Sequence, residues 1–327
     1  MIQATTLRRI VFGLAGLVAA AAATAQEFPT KPLRILVPYP PATGPDLIAR
    51  PVAAAMGKLL GQSVVVENKP GGGGVPAILD LKNSAPDGYT MLQGDQGHWA
   101  ILPSVQDNVA YDPIKDLAPV GMVYSNALFY VVPGNSPFKS MKDVVNAAKA
   151  KPGSIRYGVT GVGGIMHLTG EAFAFAAGIK MTVVPFRATA EAVQAILSGD
   201  LEMAVAGNNP VVMGALQSGK IRNIGSTGPT RDKYMPDIPT VNESAGITGY
   251  NYQADIGLLA NAGTPKPVIE KLSKALAAAQ KDTAVLDSLK RLEYNVSTMT
   301  PEEFGAKIRS DLEKYRAVAR AGNIKAQ

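Results

Sequence analysis

Short apolar runs alternate with helical segments along this chain of 327 residues, and this order limits the possible folds more than any other feature. The first run, Leu33–Val37, is too apolar to alternate cleanly, which is typical of a strand covered on both faces within a parallel sheet. From Asp46 onward, apolar residues recur at helical spacing until Gly61, a residue that favours a helix end. The sequence therefore predicts an α/β fold with parallel strands.

The same order of strand, loop and helix returns in the second half of the chain. Strand Ile155–Val159 precedes a glycine-rich loop and a helix at His167–Ala177. The chain is also long enough for two domains of ordinary size, so we expect two lobes.

The other predicted strands are Gln62–Glu67, Tyr89–Leu92, Val120–Tyr124, Phe129–Val132, Thr182–Pro185, Met203–Ala206, Ile221–Ser226 and Asp255–Leu259. The other predicted helices are Val75–Asn83, Met141–Ala150, Ala190–Leu197, a helix from Lys266 or Pro267 to Gln280, and Pro301–Ala321, and 236–249 is expected to be irregular.

Residues 1–25 have the features of a removable signal peptide. Arg8 and Arg9 precede an apolar run, and Ala23–Ala25 forms an A-x-A cleavage site. The run is too short for a comfortable membrane span, which needs about 20 apolar residues. We therefore expect secretion to the periplasm and a soluble mature protein.

The composition excludes several classes of site. The chain has no cysteine, which excludes disulfides and thiolate metal sites, and its two histidines are too few for a histidine-rich zinc centre.

Loss of Arg8 and Arg9 with the signal peptide lowers the formal net charge from +6 to +4, a mild positive surplus that favours anionic ligands. No basic run or reader motif indicates nucleic acid, and Gly71–Gly74 is expected to form a plain turn because no Gly-Lys-Ser/Thr follows. We expect no metal and no cofactor.

The loop after the first strand is the first candidate site. Pro38–Pro41 prevents further sheet pairing, and the loop ends at the predicted helix start. A tight loop between a strand's carboxyl end and a helix start presents free N–H groups and the positive end of the helix dipole, which suits a carboxylate. The candidate residues here are Tyr39, Pro40, Ala42, Thr43 and Asp46.

Further loops follow other strands and are expected to face the same crevice. The segment Gly94–Trp99 follows Tyr89–Leu92, and the carboxyl ends of parallel strands share one edge of a sheet. Loops in the second half of the chain repeat this arrangement. The candidate residues are Asp95, Gln96 and His98 in the first unit and Thr160, Gly161, Val162, Gly163, Phe186, Arg187 and Asn208 in the second.

Stretches along essentially the whole mature chain resemble the Bug (TctC-like) solute-binding receptors of tripartite tricarboxylate transporters. They are LRILVPYPPATGPDLIAR (33–50), VVVENKPGGGG (64–74), APDGYTML (85–92), YDPIKDLAPV (111–120), 184–199, 216–220, 235–249 with PDIPTVNESAGITG, and GTPKPVIEKL (263–272).

This resemblance implies a type II periplasmic binding-protein fold, in which two α/β lobes joined by two crossing strands close over a ligand. We expect a discontinuous first lobe of residues 26–125 and 254–327 and a second lobe of residues 126–253. The resemblance also implies a monomeric periplasmic receptor that binds a small carboxylate, such as a di- or tricarboxylate, an aromatic acid or an amino acid. It would deliver this ligand to the membrane subunits of a tripartite transporter without catalysing a reaction.

In similar proteins, backbone groups and ordered water of the loops matching 40–46 and 160–164 hold a ligand carboxylate. This chain departs from that pattern, with Ala42 and Thr43 at the place of a glycine pair. We expect the pocket to be more polar at Asp95 and Gln96 and less polar in the second lobe. There the usual serine, asparagine and threonine are replaced by Val159, Val162 and Gly164.

Several candidates have alternative roles. Asp46 binds an ammonium group of an amino-acid ligand or caps its helix. Arg187 pairs with a second carboxylate or lies on the surface. His98 and His167 are both expected to be structural, and Trp99 either lines the cleft or packs in a core.

Two other functions are alternatives to transport. An exported sensor for a membrane kinase would use the same cleft. An exported hydrolase or lyase would use His98 with Asp95 as an acid–base pair, although the sequence offers no evident nucleophile.

Overall fold

The computed structural model describes residues 28–160 and 162–325, so the predicted signal peptide lies outside the described residues. The strands are β1 Leu33–Val37, β2 Val64–Asn68, β3 Thr90–Asp95, β4 Leu117–Asn126, β5 Phe129–Pro133, β6 Arg156–Thr160, β7 Thr182–Phe186, β8 Met203–Ala206, β9 Ile221–Ser226, β10 Ala254–Asn261 and β11 Asn295–Val296. The helices are α1 Gly44–Leu60, α2 Val75–Asn83, α3 Leu102–Val105, α4 Met141–Ala150, α5 Ile165–Ala177, α6 Thr189–Ser198, α7 Pro210–Gln217, α8 Val241–Ala245, α9 Lys266–Ala279, α10 Thr283–Arg291 and α11 Pro301–Ala321. Among these, none has the length and apolar character needed to cross a membrane.

Two sheets divide these elements into two α/β lobes. The strand order is β11-β4-β10-β3-β1-β2 in the first sheet and β7-β6-β8-β5-β9 in the second. Strand β1 is parallel to both of its neighbours, and β6 is parallel to β7 and β8. The predicted α/β class is therefore confirmed. Antiparallel pairing enters where β4, β5 and β10 carry the chain between the lobes.

Local capping explains why some helices begin where the sequence predicts. The Ser140 hydroxyl accepts from the Asp143 N–H (3.2 Å) while the Asp143 carboxylate accepts from the Ser140 N–H (2.9 Å), a complete capping box for α4. Thr300 and Glu303 form the same box at α11, with Pro301 in its first turn. The predicted bounds of both helices are confirmed.

Sequence reasoning missed four helices: α3, α7, α8 and α10. Helix α8 lies in the segment expected to be irregular, and α10 lies between the two helices that were predicted to end the chain. All four are short, and α7, α8 and α10 each begin beside a polar residue that caps the helix: Asn209, Thr240 and Asp282. The same residue types also mark turns, so their presence does not distinguish a short helix from a loop.

Thr227 joins the two crossings between the lobes. The first crossing connects β4 to β5, where the Leu128 N–H donates to Thr227 Oγ1 and the Thr227 N–H donates to the Leu128 carbonyl, both at 2.9 Å. The Thr227 carbonyl accepts from the Tyr252 N–H (3.0 Å) in the second crossing, which leads into β10. The two crossings therefore run side by side, while the residue limits of the lobes stay a prediction.

A buried charged cluster attaches α11 to the second crossing. Lys307 Nζ lies 2.8 Å from Asp255 Oδ2 and 3.0 Å from Asp311 Oδ2, and Lys314 Nζ lies 3.3 Å from Asp311 Oδ1. The Trp99 indole N–H donates to Asp311 Oδ2 (3.1 Å). Burial disfavours the charged form of Lys307, but the two carboxylates outweigh it and raise the pKa of Lys307 above its ordinary value.

Trp99 belongs to a hydrophobic core. Its side chain is fully buried and packs edge-on against Phe304, with ring centroids 5.1 Å apart. Of the two interpretations of this residue, packing in a core is confirmed. The tryptophan does not line the cleft.

The glycine run forms the predicted plain turn. All four residues of Gly71–Gly74 have positive φ, between 55° and 102°, which glycine adopts at little cost. A Cβ at Gly74 would also lie only 2.2 Å from His98 Nε2. The turn therefore needs glycine at this position for both backbone conformation and space.

Candidate functional site

The first candidate site lies where β1 leads into α1. Thr43 is the N-cap residue of α1, but its hydroxyl donates to the Pro40 carbonyl (2.7 Å) and accepts no helix N–H. The first-turn N–H groups of Gly44 and Asp46 have no intrahelical acceptor, and Pro45 has no N–H. The positive end of the α1 dipole is therefore available to an anion.

The buried carboxylate of Asp46 stabilises this loop through hydrogen bonds. Its carboxylate is 2% exposed and accepts from Asn68 Nδ2 (2.8 Å), Arg50 Nη2 (2.8 Å) and the Ala42 N–H (2.9 Å). Burial alone would raise the pKa of Asp46, but these bonds outweigh it and hold the pKa below its ordinary value. The N-cap position itself belongs to Thr43, so Asp46 stabilises the loop rather than capping the helix.

Ala42 is an exposed residue with a left-handed backbone (φ 63°). We expect Ala42→Gly to raise the free energy of unfolding by about 0.5–1 kcal/mol, because relief of the left-handed strain exceeds the extra backbone entropy that glycine loses. Urea denaturation followed by circular dichroism measures the change. Ala317→Gly, at an exposed interior position of α11, should instead lower stability by about 1 kcal/mol. Effects of equal sign at both positions would contradict this account.

Tyr39, Asp95 and His98 form a hydrogen-bonded group beside the same loop. The Tyr39 hydroxyl donates to Asp95 Oδ2, His98 Nδ1 lies 2.7 Å from Asp95 Oδ1, and the Asp95 N–H donates to His98 Nδ1 (3.0 Å). Burial alone would raise the pKa of Asp95, but His98 and Tyr39 lower it, while burial and Asp95 raise the pKa of Tyr39. The group therefore pairs an ionised carboxylate with a protonated phenol.

Gln96 connects the end of β3 to the second crossing. Its Nε2 donates to the Gln253 carbonyl and to Asp255 Oδ2, both at 2.7 Å, and its Oε1 accepts from the Asp255 N–H (2.8 Å). The side chain is 1% exposed, so both ends of the amide are used within the protein. Gln96 positions the crossing and, contrary to expectation, adds no free polar group to the cleft.

In the second lobe, His167 closes the loop between β6 and α5. The Gly163 N–H donates to His167 Nδ1 (3.0 Å). Burial lowers the pKa of His167 below its ordinary value, with Glu171 acting in the opposite direction. The neutral imidazole thus accepts this bond, and the Gly163 amide is used inside the lobe.

The rest of this loop offers a helix start and an apolar side chain. Thr160 Oγ1 donates to Met166 Sδ (3.0 Å), and Val162 is exposed. Gly164 is the N-cap residue of α5 and supplies no side-chain cap. Gly161 lies outside the described residues.

The loop after β7 is more open. Phe186 is half-buried at the end of β7, and Arg187 is exposed. The Arg187 N–H donates to Glu191 Oε2 (3.1 Å), and the N-cap residue Ala188 gives α6 no side-chain cap. The pairing of Arg187 with a second ligand carboxylate stays a prediction.

A cavity of about 340 Å³ lies between the two lobes beside the start of α1. Gly44 lines it from the first lobe, Asn208–Pro210 from the second, and Glu293 and Tyr294 from the loop before β11. Asn208 Nδ2 donates to Glu293 Oε2 (3.2 Å), and Asn208 Oδ1 is buried without a hydrogen-bond partner. The loops at the carboxyl ends of β1 and β8 therefore face one another across a gap.

Comparison with known proteins identifies the family to which this two-lobed protein belongs. A family model described as tripartite tricarboxylate transporter family receptor matches residues 48–324. The chain belongs to this family. It is a solute-binding receptor, and the predicted resemblance to the Bug receptors is confirmed.

Relatives of the receptor extend over nearly its whole length. It is 32% identical over 308 residues to the UPF0065 protein in gbd 5'region of Cupriavidus necator, with 94% of this chain and 92% of that protein covered. It resembles the solved periplasmic binding protein BugD at 28% identity and TM-score 0.72, covering 92% of this chain and 100% of BugD. It also resembles R. palustris Rpa4515, solved with adipate, at 25% identity and TM-score 0.75, covering 92% and 100%. These similarities confirm the type II periplasmic binding-protein fold.

The family assignment also decides the catalytic alternative. The receptor belongs to a family of solute-binding proteins, so the hydrolase or lyase interpretation is wrong. The pair formed by His98 and Asp95 exists, but Gly74 encloses the imidazole and Tyr39 covers the carboxylate. Within residues 28–160 and 162–325, no group of three or more histidine or acidic side chains is placed to hold a metal ion.

Sequence reasoning missed one side of the receptor's cleft. Glu293 and Tyr294 line the cavity, and Asn295 Nδ2 donates to Asp232 Oδ2 (2.8 Å) across the two lobes. Burial, with Asp232 nearby, raises the pKa of Glu293 above its ordinary value. Only the contacts reveal this side, because the residues follow a helix that was itself not predicted.

Proposed function

We propose that this receptor is exported to the periplasm, binds a small carboxylate between its lobes and delivers it to the membrane subunits of a tripartite transporter. One feature carries the proposal. Helices α1, α5 and α6 follow the carboxyl ends of β1, β6 and β7 without a side-chain cap, whereas α7 after β8 is capped by Asn209. Uncapped helix starts leave N–H donors and positive dipole ends for a carboxylate.

The relatives support the ligand class and the compartment. Rpa4515 was solved with adipate, a dicarboxylate, and BugD is described as a periplasmic binding protein. In our proposal Arg187 pairs with a second carboxylate, because its guanidinium is exposed and its planar fork fits two carboxylate oxygens. The lobes, 26–125 with 254–327 and 126–253, close over the ligand by a hinge motion at the crossings.

A comparison of acids with their neutral amides tests this function. We expect adipate at about 100 times its dissociation constant to stabilise the purified mature receptor by about 2.7 kcal/mol, which raises the melting temperature by about 5 °C. Adipamide should leave the melting temperature unchanged, because a neutral amide gains little from the helix dipoles. The measurement is a thermal-shift assay extended to other dicarboxylates, aromatic acids and amino acids.

Two results would count against the proposal. Equal stabilisation by adipamide and adipate would show recognition of the carbon chain without its charge. If no acid in the panel changes the melting temperature, the receptor does not bind carboxylates and the proposed function is wrong.

A further inference from the structure

We infer that the cleft selects carboxylates whose carbon body bears no hydroxyl groups, that is, aliphatic or aromatic acids rather than hydroxy acids. The inference rests on the proposed carboxylate-receptor function and refines the ligand class of the same site. It combines two observations about the segments at the carboxyl ends of the strands: most of their polar side chains have partners within the protein, and several large apolar side chains are exposed there.

Most polar side chains of these loops already have protein partners, and the exceptions are Asn208 Oδ1 and the exposed guanidinium of Arg187, which we assign to a carboxylate. Asp46 and Gln96 are almost fully buried, and both polar atoms of each side chain form hydrogen bonds within the protein. Tyr39, Thr43 and Thr160 each donate their hydroxyl proton to an acceptor of the protein itself. A ligand hydroxyl entering the cleft would therefore meet few side chains that are free to donate to it.

Large apolar side chains are exposed in the same places. Leu47 in the first turn of α1 is 46% exposed, Val162 in the loop after β6 is 51% exposed, and Val211 in the first turn of α7 is 45% exposed. Each follows a parallel strand at its carboxyl end, and the carboxyl ends of parallel strands share one edge of a sheet. Gly44, one turn before Leu47, lines the same interlobe cavity as Asn208, three residues before Val211. Leu47 and Val211 thus each follow a residue that lines the gap by three positions, and Val162 lies in the corresponding loop after β6.

The energetics of burial favour an apolar ligand body in this setting. Closure over an aliphatic or aromatic chain removes apolar surface of both ligand and protein from water. A hydroxyl enclosed without a partner loses its hydrogen bonds to water, which costs about a factor of ten or more in affinity. The helix starts supply backbone N–H donors, but we assign these to the carboxylates.

Titration calorimetry of the mature receptor with succinate, malate and tartrate tests the inference, since these acids share a four-carbon backbone with zero, one and two hydroxyls. We expect the affinity to fall about tenfold or more with each hydroxyl. Malate or tartrate binding as tightly as succinate, or more tightly, would overturn the inference and leave the carboxylate-receptor function standing. Failure of these acids and of every acid in the thermal-shift panel to bind would instead overturn the proposed function, and the inference with it.

A matched pair of variants tests the apolar side chains directly. Val162→Thr replaces a methyl group by a hydroxyl at nearly constant volume, and we expect it to shift the ratio of malate to succinate affinity about tenfold toward malate. Val65→Thr makes the same change at a 54% exposed valine of strand β2 and should leave the ratio unchanged. An unchanged ratio in Val162→Thr, or an equal change for both acids, would show that Val162 does not face the ligand body and would overturn its assigned role.

Discussion

An Asp311→Ala variant is expected to lose about 3–5 kcal/mol of its free energy of unfolding. Asp311 is buried, and its carboxylate holds Lys307, Lys314 and the indole N–H of Trp99. Its removal leaves the two ammonium groups with Asp255 as the remaining carboxylate of the cluster, and an uncompensated buried charge costs this much. Urea denaturation followed by circular dichroism measures the loss.

An exposed ion pair serves as the control for this variant. Asp107 lies 3.0 Å from Lys325 with both side chains mostly in water, so Asp107→Ala should cost less than about 1 kcal/mol. Asp311→Asn keeps an acceptor for the indole N–H and should fall between the two. If Asp311→Ala proves no more costly than Asp107→Ala, the buried cluster does not stabilise the fold.

A Gly74→Ala variant is expected to lose about 2–5 kcal/mol. The left-handed backbone of Gly74 (φ 81°) costs a side-chain-bearing residue about 1–2 kcal/mol. The added methyl group would also lie 2.2 Å from His98 Nε2 and 3.1 Å from Pro38 Cβ, and overpacking costs a further 1–3 kcal/mol or so. Displacement of His98 would in turn disturb its contact with Asp95. Thermal and urea denaturation both report this change.

Gly61→Ala separates backbone strain from overpacking. Gly61 also has a left-handed backbone (φ 68°), but a Cβ there would meet no atom within 4 Å. This variant should therefore lose only the strain energy, about 1–2 kcal/mol. Equal losses in Gly61→Ala and Gly74→Ala would mean that the imidazole moves aside at no cost, and that His98 does not hold the turn in place.

The elements with strong local signals could be predicted closely from the sequence. The predicted bounds of α2, α4, α11, β8 and β9 agree with those of the structure. A helix start depends on neighbouring residues, as in the box of Ser140 with Asp143, so the information is present in a few adjacent positions. The family resemblance added the two-lobed architecture, which periodicity alone does not specify.

The partners of the site's polar side chains could not be predicted in the same way. Asp95 and Gln96 were expected to make the pocket more polar, yet Gln96 bonds to Asp255, 159 positions away. Buried polar groups need partners, but the sequence does not say which distant residue supplies them. The bond from Gly163 to His167 is local, and a histidine four residues after a glycine was the signal that could have indicated it.

The side chains that hold the cleft loops in place are separate from the apolar side chains that are exposed beside them. Asp46, Gln96 and His167 use their polar atoms inside the lobes, whereas Leu47 and Val162 are exposed and contribute little to that support. Substitutions at the exposed positions should therefore leave the fold unchanged, and under our inference we expect them to alter ligand selectivity. After gene duplication, one or two substitutions would then suffice to give such a receptor a new ligand, without compensating substitutions elsewhere in the protein.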